Sequence, residues 1–129
     1  MNIIKLITII ALLHPTAVLA EELRCGWYLN PTPANHWLED ADGTWILATQ
    51  GGYQVWETVD LAEQSFAFDD QWVSSNGEPG HAYYGHGCAC IRGIFEPTSG
   101  RVSDISHMNP RPLDACRTDP NLPPEPNYQ

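Results

Sequence analysis

Four cysteines, at positions 25, 88, 90 and 116, constrain this chain more than any other feature, because the middle two are separated by a single residue. In an extended strand, residues two apart emerge on one face with Cα atoms about 6.6 to 6.8 Å apart, the outer limit for a disulfide between them. The spacing favours outward bonds from Cys88 and Cys90, one to Cys25 and one to Cys116. Which goes to which stays open, as does a Cys88–Cys90 loop beside a Cys25–Cys116 bridge. Each outward bond closes a long loop and contributes ~3 to 5 kcal/mol in the chain-entropy account. A Cys-x-Cys pair also suits a soft metal or a redox site, but a metal requires thiolates kept reduced.

The N-terminus bears on that choice. Residues 1–20 carry one cation, Lys5, then the apolar run Leu6 to Leu13, then Ala17-Val18-Leu19-Ala20 ahead of Glu21-Glu22. This is the pattern of a secretory signal peptide, with small side chains at Val18 and Ala20 where the peptidase reads. The run is shorter than the ~20 residues of a spanning helix, and no cysteine follows to take a lipid anchor. Export to a periplasmic or extracellular space implies oxidising conditions, and hence two disulfides. Without the leader 109 of the 129 residues remain, enough for one small domain. Its five arginines against 16 acidic residues leave a net charge of −11. That balance excludes a nucleic-acid partner, whose phosphates demand clustered cations, and a protein held on anionic lipid after cleavage.

Along residues 21–119 the punctuation is that of a β protein. Pro31 and Pro33 prevent a helix after Arg24-Cys25-Gly26-Trp27-Tyr28-Leu29, predicting a short strand running into a fixed loop. Asp42-Gly43 marks a turn into the β-forming run Thr44 to Thr49. Gly51-Gly52 followed by alternating residues from Tyr53 to Val59 predicts a hairpin. The stretch from Asp60 to Ser75 fits neither period and reads as an irregular turn followed by a strand. Residues 82–95 read as a long strand in which Gly85 and Gly87 mark a bulge or a close backbone approach. Pro97-Thr98-Ser99-Gly100 closes a further hairpin onto residues 101–106, and four prolines in 120–129 predict an extended, weakly ordered tail. The expected fold is mainly β: a small disulfide-stabilised antiparallel sheet or partly open barrel, with little or no helix after the leader.

The set Arg24-Cys25-Gly26-Trp27, Asn30-Pro31-Thr32-Pro33-Ala34-Asn35, Gln50-Gly51-Gly52-Tyr53, Gly85-His86-Gly87-Cys88-Ala89-Cys90 and Cys116-Arg117 resembles a family of small exported bacterial proteins that carries a domain-of-unknown-function label. The resemblance spans about residues 24–120. It implies a single secreted domain with paired cysteines, and brings no activity, substrate or cofactor with it.

Chemistry must therefore be read from the residues. Five tryptophans lie between positions 27 and 72, and they serve either as core or as a stacking surface. Trp27 and Trp37, flanking the loop 30–35, are the candidates for an exposed platform suited to a glycan such as peptidoglycan. His36, His81, His86 and His107, with Asp69, Asp70 and Glu78, supply ligand types for zinc or copper but match no ligand spacing, so neither metal nor cofactor is expected. His86, between glycines, is the best candidate base, with Asp70 as its partner in a small hydrolase, but no nucleophile stands in a recognisable context. The acidic charge favours binding over catalysis, through attraction to a basic envelope-acting protein as an inhibitor or immunity protein would use it. The expected contact residues are Trp27, Asn30, Thr32, Asn35 and Trp37, with Gln50 and Tyr53 as neighbours across the turn. The asparagines and glycines there equally suit purely structural turns.

Overall fold

A computed structural model describes residues 9, 11–13, 18–57, 68–76 and 84–128. Its elements are β1 (Glu22–Asn30), β2 (His36–Asp40), β3 (Gly43–Ala48), β4 (Val73–Ser74), β5 (Gly85–Glu96), β6 (Arg101–Arg111) and one short helix, α1 (Leu113–Arg117). β1, β2 and β3 form an antiparallel meander, and β1 pairs along its other edge with β5 from Glu22↔Gly93 to Asn30↔Gly85. β5 pairs in turn with β6, and β6 meets β3 in a single parallel pair, Ile46↔Arg101. The pairings thus close a five-stranded ring, with β4 extending the edge of β5 beyond β6 at Val73↔His86. The parallel contact makes the sheet mixed where the sequence predicts an antiparallel one. The mainly β, disulfide-tied fold is otherwise as expected.

Closing so small a ring forces neighbouring strands to coil tightly over one another. Gly26 and Gly93 meet this need, because a Cβ at each would lie 2.0 Å from a carbonyl oxygen of the adjacent strand, that of Glu39 and Asp104 respectively, and Gly85 admits the Val73 carbonyl of β4 equally closely. Alternation sends Tyr28, Leu38, Trp45, Leu47, Ala89, Ile91 and Phe95 inward to one core, and two register shifts along β5 and β6 bring Val102, Ile105 and Met108, three residues apart, to the same side. Trp27, Leu29 and Cys88 point the other way, into a second cluster with Leu113 and Cys116 of α1. Both faces of β1 and β5 are covered, which explains the unbroken buried runs Gly26 to Leu29 and Gly85 to Ile91.

The disulfides are Cys25–Cys90 and Cys88–Cys116, one outward bond from each of the paired cysteines. Cys25 and Cys90 are directly opposite on β1 and β5, with Cα atoms 4.0 Å apart. The Cys88–Cys116 bond holds α1 against the outside of the ring.

Two expectations need correction. The second hairpin strand expected at 53–59 does not form over its described residues, 53–57: one bridge, Ala48↔Gln54, is followed by the 3-10 turn Val55–Glu57. Val55 buries completely in the inner core, so capping the open end of the ring outweighs extending the ladder. The tail, expected to be weakly ordered, is fastened to the domain. Trp27 Nε1 donates to the Pro123 carbonyl at 3.0 Å, Leu122 packs on the outer cluster, and Glu125 and Tyr128 reach His86. Prolines leave such a segment little backbone freedom to lose on docking. The first half of the ambiguous stretch 60–75 lies outside the described residues; its second half contributes the 3-10 turn Asp69–Gln71 and β4.

Candidate functional site

The loop 31–35 between β1 and β2 folds around its own asparagines. Asn30 Nδ2 donates to the carbonyls of Thr32 and Asn35 at 3.0 and 2.8 Å. Asn35 Nδ2 donates to Thr32 Oγ1 at 2.6 Å, and Asn35 Oδ1 accepts the Gln50 backbone N–H at 2.8 Å. That last bond joins the loop to the turn after β3, bringing the Asn-Pro-Thr-Pro-Ala-Asn and Gln-Gly-Gly segments together at one end of the ring. Thr32, Pro33 and Ala34 stand exposed at its crest. Ala34 holds φ of +60°, a left-handed conformation that costs a residue with a Cβ roughly 1 kcal/mol; the surrounding hydrogen bonds hold it there.

Beside the crest lies an open depression of about 620 Å³ lined by Gly51, Gly52, Gln54 and Trp56. Trp56 is half-buried, edge-on to His36 at 5.5 Å between centroids. His36 Nδ1 is hydrogen-bonded to Tyr28 Oη at 2.6 Å; burial holds the imidazole below its ordinary pKa and the phenol above its own. A second depression, of about 530 Å³, runs between the β2–β3 turn and the tail, lined by residues 39–44 and 121–123. Its acidic wall is partly engaged already. Asp40 Oδ1 accepts from the N–H groups of Asp42 and Gly43 and from Trp45 Nε1. Arg24 bonds Asp40 and Asp42 at 2.9 and 2.7 Å and lies over the Trp45 ring. Burial disfavours that guanidinium's charge, but Asp40, Asp42 and Glu22 together outweigh it.

Of the expected contact residues, Asn30, Thr32, Asn35 and Gln50 are assembled at the crest. Trp27 is not available as a platform: it is 1 % exposed, under the tail. Trp37 is half-buried between the two clusters. Tyr53 turns away, its hydroxyl donating to the Val102 carbonyl at 2.6 Å and its ring under Arg101. Trp56 and Gln54 were hidden within the alternation that reads as a strand. The Gly-Gly turn just before them is the signal that could have marked their position beside the loop.

His86 is 1 % exposed, and its partners are Glu125 and Tyr128 rather than Asp70. Glu125, as an ionised carboxylate, only accepts, so neutral His86 donates from Nε2 at 3.2 Å and accepts the Tyr128 hydroxyl proton at Nδ1 at 2.8 Å. Burial lowers the pKa of His86, with Glu125 opposing it. The Arg117 guanidinium, bonded to Glu125 at 2.8 Å, holds that carboxyl below its usual range, and burial pushes the Tyr128 phenol up to about 12. Held in this way, His86 fastens the tail to the domain. Among the described residues no three His, Cys, Asp or Glu side chains gather as a metal would need; His81 and Glu78 lie outside them.

A disulfide-tied five-stranded ring with a locked loop at one end defines a small scaffold-and-loop class of domain. Over residues 19–123 the chain matches the family described as protein of unknown function DUF4087, and it belongs to that family. No curated protein and no solved structure matches it.

Proposed function

We propose that this is an exported, periplasmic or secreted, binding protein that acts as an inhibitor or immunity-type partner of a basic envelope-acting protein. The crest carries the reading. A loop with three exposed residues, a left-handed alanine and mutually satisfied asparagines is pre-organised, and little entropy remains to be lost when a partner seats on it. The net charge of −11 steers a cationic partner toward the molecule over a Debye length of about 10 Å in moderate salt. Export is supported by two disulfides and no free cysteine. Among the described residues no helix is long and apolar enough to cross a membrane.

The test is a pull-down from envelope extract with the oxidised mature protein, at low and then moderate salt, followed by titration of the purified partner. The expected result is a basic protein whose affinity weakens with salt and falls at least tenfold with Thr32→Arg at the crest. Recovery of a neutral or acidic partner, or an unchanged affinity in Thr32→Arg, would refute the reading.

A glycan reading has its own support in the half-buried Trp56 beside Gln54, an indole face next to an amide. Muropeptide titration followed by tryptophan fluorescence distinguishes it, because a response lost in Trp56→Ala with an intact crest belongs to the glycan.

A further inference from the structure

We propose that the Cys25–Cys90 bond is a thiol–disulfide exchange site, opened by attack of an external low-molecular-weight thiolate on Cys25 Sγ. The two disulfides differ in every respect that governs such attack. Cys25 is exposed on β1, whereas Cys90 is 5 % exposed, and Cys88 and Cys116, 2 % and 3 % exposed, are both shut in the outer cluster. Cys25 alone of the four is an exposed residue, and exchange depends first on access.

The opposite end of the bond is prepared for departure. Arg111 Nη1 lies 3.3 Å from Cys90 Sγ, where its fixed positive charge stabilises the thiolate that leaves when Cys25 is attacked. The incoming thiolate forms a mixed disulfide with Cys25, and the electron pair of the broken S–S bond goes to Cys90. Return attack by the Cys90 thiolate on Cys25 Sγ expels the external thiolate and restores the bond. No net oxidation occurs in either direction.

The fold also tolerates this opening. β1 and β5 remain paired from Glu22↔Gly93 to Asn30↔Gly85 on either side of the bond, so the ladder keeps the two sulfurs opposite each other while the bond is open. The Cys88–Cys116 bond, by contrast, is the covalent tie between the ring and α1. The two bridges thus divide into a framework bond and an exchangeable one.

Glutathione is the probe. The oxidised protein is incubated with reduced glutathione, quenched with acid, alkylated and mapped by peptide mass spectrometry. The expected products carry glutathione on Cys25 and alkyl on Cys90, with Cys88–Cys116 intact. Arg111→Ala slows their appearance about threefold, and Arg111→Lys, which keeps the charge, retains most of the rate. An adduct on Cys90, simultaneous opening of both bonds, no adduct at all, or an unchanged rate in Arg111→Ala would each overturn the proposal.

Discussion

At the scale of single residues, the side chains of Asp40 and Asn35 each bond several groups at once. Asp40, 7 % exposed, satisfies Arg24, the Trp45 indole and two turn amides at once. Its removal strands the buried indole N–H and two turn amides and leaves the half-buried Arg24 guanidinium with Asp42 and Glu22 alone. Asp40→Ala is expected to cost about 3 kcal/mol, measured as a drop in urea stability. Asn35, which locks the crest from a more exposed position, is expected to lose only about 1 kcal/mol as Asn35→Ala. A larger loss at Asn35 than at Asp40 would reverse this ranking. Asparagines with prolines between them announce a turn, and that much was legible in the sequence. That Asn35 reaches the Gln50 amide was not, because the bond exists only once β2 and β3 have paired.

At the scale of the element, the strands are shaped by where a side chain cannot be. Gly26 faces the Glu39 carbonyl so closely that a Cβ would have to push β1 and β2 apart. Gly26→Ala is therefore expected to destabilise the domain by about 2 to 3 kcal/mol. Gly52→Ala is expected to cost less, since its Cβ would meet only the Thr49 hydroxyl, an exposed turn contact that can shift. Thermal unfolding of the two variants side by side is the measurement, and equal losses would contradict the argument. The strands β1, β3, β5 and β6 were legible from turns and β-formers, whereas β2 was marked only by the turn that follows it. The misread segment, 53–57, shows why alternation is insufficient: Val55 has the sequence of a strand and the position of a plug, because the ring's open end offers more burial than a ladder edge.

At the scale of the whole molecule, the tail couples acid to stability. His86, packed edge-on to Trp27 and facing Glu125 and Tyr128, with Arg117 beyond, has its pKa lowered by burial from the ordinary 6.5. The unfolded chain therefore binds a proton that the fold resists, and stability falls as pH drops below about 6.5. Glu125, held low first by Arg117, adds a second loss as pH falls through its depressed value. Both effects have the same sign, so acid weakens the clasp. The urea midpoint is expected to be level near pH 7 and to decline below it, with a shallower first decline in His86→Gln. His36, also lowered by burial, retains its share in that variant. A midpoint that rises on acidification would contradict this account.

Composition, cysteine spacing and turn residues by themselves determined a disulfide-tied β domain and the hairpin of β5 with β6, and they favoured an outward bond from each central cysteine. These are local or covalent constraints, and they act before any tertiary contact forms. The tertiary structure alone decided that the sheet closes, that Cys25 takes Cys90 rather than Cys88, that Trp27 is core and Trp56 is surface, and that His86 belongs to the tail. Each depends on which face of a strand is covered by residues far away in sequence, and a period-two pattern does not record which of its faces will be covered, or that both will be.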